Sequence, residues 1–356
     1  MDSKGGTQMN QKYDHYIAVD WALSNMAIAR ATRHDNEINC VEVVADVSDL
    51  KVYLSHLKGT KLLCFEESTP AQWLYVELKE FVDEIIVCDP YRNKLLSEGA
   101  KTDKIDAIKL LKLMRAGLLK PVYHSSDQLI SLRKIVNGYL DVVYAGVRVK
   151  NQRSALLRGY GLNRDEDLSE PSEADLFVMQ GYDLSIKNYE EDKLRYNKKF
   201  ISLGNDIEII KTLKSVPGIG PVGAVKVAAI VVDPKRFINK SQWLSYCGLV
   251  MHDRISGGKL YGKKTPRHSR ILKSVFKTAA ITILQDQPTI YTKALGDSAG
   301  AIKSYYQLLI EKKNYPPHRA RAAVARKIAT IALGVMKSQK KFDDRWRKKY
   351  VTSNIL

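Results

Sequence analysis

Lys101-Thr102-Asp103-Lys104-Ile105-Asp106-Ala107 opens a helical pattern, and Leu110 and Leu113 continue the face that its two acids begin. Asp103 and Asp106 are three residues apart, so on a helix their side chains share a side. They point the way the apolar side chains point, towards the body of a domain. There an unpaired anion is costly unless it meets a cation, and a divalent metal ion would remove that cost. Thr102 is a natural N-cap, and acids in a first helical turn also answer the helix dipole with no chemistry implied. The pair gains meaning from its company upstream.

Tyr16-Ile17-Ala18-Val19-Asp20 is an apolar run ending in an acid, and after a turn at Leu23-Ser24-Asn25 a second run, Met26 to Ala31, follows at hairpin distance. Ile38 to Val44 reads as a third strand and Val47 to Leu57 as a helix. Lys61 to Phe65 is a fourth strand with Glu66 at its end. Pro70 opens a helix to about Phe81, Glu84 to Val87 is a fifth strand, and Asp103 to about Leu118 closes the domain. A hairpin followed by alternating helices and strands describes an α/β domain with a mixed sheet. Asp20 and Glu66 then stand at strand ends, where such sheets bind ligands. Four acids brought to one edge repel each other unless metal neutralises them. Paired metals about 4 Å apart, held by carboxylates, are a common device for in-line attack on a phosphodiester.

From Ser125 the spacing turns helical. Leu129, Leu132, Val136, Tyr139 and Val143 keep intervals of three and four, and Leu157 resumes the register. This predicts a helical hairpin or short coiled coil with a polar turn near Gly159 to Pro171 and a return helix through Lys193 to Leu213. It is read either as a self-associating arm or as an intramolecular linker. Val216-Pro217-Gly218-Ile219-Gly220 then opens a small-residue helix, Pro221 to Val232. Such a turn resembles a helix-hairpin-helix, whose free backbone N–H groups receive a phosphate, or simply lets two helices pack closely.

Ile255-Ser256-Gly257-Gly258-Lys259 has the composition of a hairpin tip, followed by Lys263, Lys264, Arg267 and Arg270. A serine there can also meet a phosphate, although its hydroxyl needs activation from a metal or base. Ile271 to Leu284, Ala301 to Lys312 and Arg319 to Met336 read as helices, and Lys337 to Tyr350 as a basic, aromatic-dotted tail.

The chain has 356 residues, and its 57 Lys and Arg against 39 Asp and Glu leave a formal charge of +18. A length beyond one core predicts two or three domains, and the charge favours a polyanion, nucleic acid ahead of membrane. Cys40, Cys64, Cys88 and Cys247 are far apart with no CxxC pair, which suits reduced, buried thiols rather than zinc or a disulfide framework. The first eleven residues are polar, and no apolar run reaches the length of a membrane span. The expectation is a cytoplasmic protein. Gly-rich phosphate loops of an actin-like ATPase are missing after Asp20 and elsewhere.

Ile17-Ala-Val-Asp20, Cys64-Phe-Glu66, the Lys101 to Ala107 block, Val216-Pro-Gly-Ile-Gly220, Tyr246-Cys-Gly-Leu249 and Ser256-Gly257 together resemble the DEDD-type insertion-sequence transposases related to the Piv DNA invertase, the bridge-RNA-guided recombinases. The resemblance spans most of the chain. It implies a RuvC-like, ribonuclease-H-fold metal-binding catalytic domain over residues 13–122, a helical coiled-coil arm over 123–213, a mainly α C-terminal transposase domain over 214–342 and a basic tail over 343–356. It implies that Asp20, Glu66, Asp103 and Asp106 hold Mg²⁺, with Mn²⁺ as the alternative ion, and that Ser256 attacks DNA to form a phosphoserine intermediate. Where the family has a glycine soon after its second acid, this chain reads Glu66-Glu67-Ser68-Thr69-Pro70, so Glu66 and Glu67 both remain candidates, with Glu66 preferred. Nucleic-acid contacts are expected at Gly218, Gly220, Lys259, Lys263, Lys264, Arg267 and Arg270. Implied partners are donor and target double-stranded DNA, a non-coding guide RNA and further copies of the chain in a dimer or tetramer. A hydrolytic junction nuclease with the same acids, and a non-catalytic nucleic-acid-binding protein, are the competing readings.

Overall fold

The computed structural model describes residues 12–34, 37–93, 102–125, 128–285 and 298–342. The basic tail expected over 343–356 lies outside them. The chain divides into two compact units, residues 1–126 and 127–356.

The first unit is built on five strands: β1 (His15–Trp21), β2 (Asn25–Thr32), β3 (Asn39–Val44), β4 (Lys61–Glu66) and β5 (Glu84–Cys88), arranged β3-β2-β1-β4-β5. β2 is antiparallel to β1 and β3, whereas β4 runs parallel to β1 and β5 parallel to β4. The mixed α/β sheet read from the sequence is therefore present. Its central strands are buried on both faces, which explains their near-continuous apolar runs. Ile17, Val19, Leu63 and Phe65 face helices α1 (Val47–His56) and α2 (Ala71–Leu78) through Leu50, Leu54, Leu74 and Leu78. Tyr16, Ala18, Leu62 and Cys64 face the other way, onto Ala107, Leu110, Leu111 and Met114. These last four belong to α4 (Asp103–Arg115), which follows the short α3 (Pro90–Asn93). Ala18, Ala27, Ala29, Ala31, Cys64 and Cys88 keep this second face small, and small side chains let α4 lie close to the sheet. Each wholly buried leucine, such as Leu63 or Leu111, contributes about 2 kcal/mol relative to exposure.

The second unit is helical. Helices α5 (Leu132–Gly159) and α6 (Glu173–Asp206) form an antiparallel hairpin. Tyr139 packs edge-on against Tyr196 and Phe200, with ring centroids 5.8 and 5.2 Å away. Gly146 makes room for Tyr189, whose ring atoms would lie 2.2 Å from a Cβ placed there. The return helix begins at Glu173, directly after the polar turn expected to end near Pro171. The reason is local: Ser172 and Asp175 form a reciprocal capping box, and the Tyr160 hydroxyl donates to Asp175 at 2.9 Å. The base of the hairpin shares one core with the C-terminal helices, where Leu132, Val136, Tyr139 and Phe200 meet Ile210, Val225, Trp243 and Phe276.

After α7 (Glu208–Leu213), the Val216 to Gly220 turn leads into α8 (Pro221–Val231), then α9 (Lys240–Tyr246), the ribbon β6 (His252–Ser256) and β7 (Lys259–Lys264), α10 (Arg270–Leu284), α11 (Ser298–Glu311) and α12 (Pro317–Ser338). Trp243 sits wholly buried among them, donating its indole N–H to the Ala329 carbonyl at 2.7 Å. All four cysteines are free; Cys64, Cys88 and Cys247 are buried and Cys40 half-buried. No described helix is long and apolar enough to cross a membrane.

Gly218 has φ +79°, and a Cβ there would lie 2.5 Å from the backbone oxygen of Ala279 on α10. Gly220 has φ −78° and open space where a Cβ would go. Left-handed strain of about 1 kcal/mol and overpacking of about 1–3 kcal/mol predict that Gly218→Ala lowers stability by about 2–4 kcal/mol. Gly220→Ala is expected to leave it within about 1 kcal/mol. Urea unfolding of the two variants checks the contrast.

Candidate active site

Strand alternation places the first two acids. On β1, Asp20 follows Tyr16 and Ala18 onto the α4 side of the sheet, and on β4 Glu66 follows Leu62 and Cys64 onto the same side. The strands are adjacent and parallel, in register up to Val19 and Phe65, so Asp20 and Glu66 are the next residues of neighbouring strands. Thr102 caps α4, its hydroxyl accepting from the Ile105 N–H at 3.3 Å, and sets Asp103 and Asp106 in the first turn. Ala107 and Leu110 carry that face into the sheet.

The electrostatics report the convergence. Burial holds the Asp20 carboxyl above its usual range, and the charges of Asp103 and Asp106 push it further. Glu66, although at the solvent edge, is raised by the partial burial of its carboxylate and then by Asp20, Asp106 and Asp89. Among the described residues, the ion pair recorded for this set is Asp106 with Lys109 at 3.7 Å, a loose contact within one helix. The site is thus rich in like charge and poor in compensating cation.

Glu67, the alternative ligand, is engaged elsewhere. Its carboxylate meets Nε2 of the buried His124, whose Nδ1 lies 2.8 Å from Oε1 of Gln72. Gln72 in turn donates to the Ser125 carbonyl at 3.0 Å, and Tyr75 flanks the imidazole. Glu67 therefore fastens the chain leaving α4 to α2, while Glu66 faces the acids.

Asp89 was missed in the sequence. It follows the last residue of β5, is 8% exposed, accepts from the Tyr91 N–H at 3.1 Å and lies close enough to raise Glu66. The signal was available, since Val87-Cys88-Asp89 repeats the pattern of an apolar strand ending in an acid.

The donor set suits a hard divalent cation such as Mg²⁺, being oxygen only. Its excess negative charge, without Lys or Arg directed at Asp20, Glu66 or Asp103 among the described residues, fits the same ion. Yet no group of three or more described His, Cys, Asp or Glu side chains already forms a closed ligand cluster. The acids feel one another without being drawn into a finished coordination shell.

The remaining predicted residues lie in the second unit. Ser256 ends β6 at the tip of the ribbon, exposed, with its hydroxyl free of described hydrogen-bond partners. Gly257 (φ +53°) and Gly258 (φ +76°) form the two-residue turn beyond it, the geometry of a type I′ hairpin. Lys259, Lys263 and Lys264 are on β7, and Arg267 is exposed in the connection to α10. Arg270 begins α10, where a cation opposes the helix dipole and so gains nothing from the helix itself. Gly218 packs against α10 and Gly220 caps α8.

Comparison with known proteins agrees with this division. A family profile described as "Transposase" matches residues 17–162, and one described as "Transposase IS116/IS110/IS902 family" matches residues 210–294. Two relatives from Sinorhizobium fredii (strain NBRC 101917 / NGR234) carry the names of transposases. One, y4pF/y4sB, is 25% identical over 319 residues, covering 79% of this chain and 77% of its own. The other, y4qE, is 22% identical over 265 residues, covering 71% and 67%. The two profiles fall on the acid-bearing sheet and on the Gly218 turn and ribbon in the order the sequence presents them, and by both the chain is similar to the IS116/IS110/IS902 family of transposases, enzymes that cleave and rejoin DNA.

Proposed function

We propose that this chain recombines the DNA of an insertion sequence, with Asp20, Glu66, Asp103 and Asp106 holding Mg²⁺ and Ser256 as the attacking group. The observation that carries the metal reading is the mutual electrostatic effect of carboxylates delivered to one sheet end by β1, β4 and α4. Bound there, Mg²⁺ supplies charge neutralisation at a phosphodiester and makes its phosphorus more electrophilic. The protein's own contribution is to hold four oxygen donors on a rigid sheet end and helix start, with Glu67 diverted to His124 so that Glu66 is the second donor.

In the serine step, Oγ of Ser256 forms a bond to phosphorus while the bond from phosphorus to a deoxyribose oxygen breaks. The serine proton passes to solvent, and the departing oxygen takes up a proton to become a free hydroxyl. Rejoining is the reverse attack by a DNA hydroxyl, which releases the serine. An exposed hydroxyl between a glycine turn and lysines supports this assignment, as does the resemblance of Ser256-Gly257 to the family's serine. The same resemblance supports a non-coding guide RNA, donor and target double-stranded DNA, and a dimer or tetramer of this chain. The charge of +18 suits such polyanions.

Hydrolysis by water at the same acids is the second reading. Its support is specific: the Ser256 hydroxyl has no hydrogen-bond partner among the described residues, and Ser256 belongs to a different compact unit from the acids.

The test is cleavage of DNA bearing the element's ends by the full chain with its co-purified RNA, in Mg²⁺ and in EDTA. Strand breakage is expected in Mg²⁺ alone. Breakage that persists in EDTA would overturn the metal assignment.

A further inference from the structure

The β6–β7 ribbon is exposed along both strands, and none of its residues enters a described hydrophobic core. An isolated two-stranded hairpin is marginal in water, so a ribbon that also exposes Ile255, Leu260 and Tyr261 is suited to being covered by a partner. Its register divides the side chains sharply. Ser256 pairs with Lys259 and Ile255 with Leu260, but Arg254 then pairs with Gly262, leaving Tyr261 as an extra residue in a bulge. Beyond the bulge, Asp253 pairs with Lys263 and His252 with Lys264.

Directly opposed residues share a face, and successive residues alternate. Ser256, Lys259, Arg254 and Lys264 therefore lie on one face together with His252. Ile255, Leu260, Asp253 and Lys263 lie on the other, where Asp253 and Lys263 neutralise one another at 3.7 Å. The face bearing the serine carries three cations and no carboxylate. Its guanidinium is buttressed, Arg254 lying over the Tyr261 ring at 5.9 Å, and Gly262 opposite it leaves the approach open. Without the bulge, Lys263 would share the serine's face and Lys264 would not.

We propose that Arg254, Lys259 and Lys264 form a phosphate-reading face that seats the ribbon on the backbone of duplex DNA, with Arg254 gripping a phosphate beside Ser256. A two-stranded ribbon is narrow enough to follow a DNA groove. The planar guanidinium suits bidentate phosphate contact, and the two lysines add point charges. The proposal rests on the reading of this protein as a DNA recombinase and adds to it the residues that position the strand.

The experiment is equilibrium binding of the full chain to a labelled DNA duplex in EDTA, with the duplex confirmed intact on a denaturing gel, across a range of salt. Arg254→Gln, Lys259→Gln and Lys264→Gln are each expected to weaken binding about tenfold and to reduce the slope of log K against log salt by about 1. Leu260→Gln, on the opposite face and uncharged, is expected to change neither. Unchanged affinity in the three variants, or an equal loss in Leu260→Gln, would overturn the proposal. So would a loss confined to a parallel titration with the co-purified RNA. Because binding is read without chemistry, failure of Ser256 as nucleophile would leave this result untouched and separately visible.

Discussion

Asp103→Asn is expected to reduce DNA strand cleavage roughly 10³-fold while raising the melting temperature of the protein in metal-free buffer. Both effects have one origin. Asp103 adds to the repulsion that, after burial, holds Asp20 above the ordinary carboxylate range. Neutralising it relieves the folded state of like charge, but it also removes one of the proposed Mg²⁺ donors, a loss corresponding to about 4 kcal/mol of barrier. The pH dependence has a matching sign. A carboxylate raised on folding binds its proton more tightly in the native state than in the unfolded chain. Between the ordinary carboxylate range and the raised values of Asp20 and Glu66, these groups therefore stabilise the fold on acidification, and that contribution is lost as pH rises through the window. Mg²⁺ is expected to reverse the dependence by favouring the ionised form. Melting curves of wild type and Asp103→Asn, with EDTA and with Mg²⁺ across pH, read all of this. A melting temperature indifferent to Mg²⁺ in the wild type would exclude metal binding at these acids.

Ser256→Ala is expected to abolish a covalent protein–DNA adduct that the wild type forms on a nicked substrate in Mg²⁺. Exposure makes the variant informative. Ser256 is exposed at a ribbon tip, so removing its oxygen is expected to change stability by less than about 0.5 kcal/mol, and a lost adduct reflects chemistry rather than unfolding. Adduct formation is resolved on denaturing gels, with strand breakage followed in the same samples. Loss of adduct together with breakage assigns attack to Ser256. Breakage that continues without an adduct assigns it to water and leaves the acids as a hydrolytic centre. An adduct that survives places the nucleophile elsewhere in the chain.

The two variants address separate compact units, and each unit was legible to a different degree. The strands of the first unit were readable because two-sided burial produces apolar runs such as Ile17 to Val19 and Leu62 to Phe65, and each ends in a visible acid. Helix starts are legible where a cap or turn marks them, as at Thr102 and after Pro171, whereas the break at Ile207 that separates α6 from α7 is not. Asp89 went unnoticed because the acid closing a strand is ordinarily a turn residue, and proximity to Glu66 is a property of β4 and β5 lying side by side.

By itself the amino-acid order determined that a mixed sheet is followed by long helices, that acids close the strands, and that a Gly-Gly turn carries a serine. Such features follow from local periodicity and local backbone preference, which act over a few residues. Tertiary structure alone decided that Glu66 rather than Glu67 faces the other acids, since His124, far along the chain, draws Glu67 away. It also decided that Gly218 is held against Ala279 and that Lys264 rather than Lys263 shares the face of Ser256. The last depends on a single extra residue at Tyr261. In a pleat of period two, one added residue moves every following side chain to the opposite face, and which residue is added is settled by hydrogen bonding between strands.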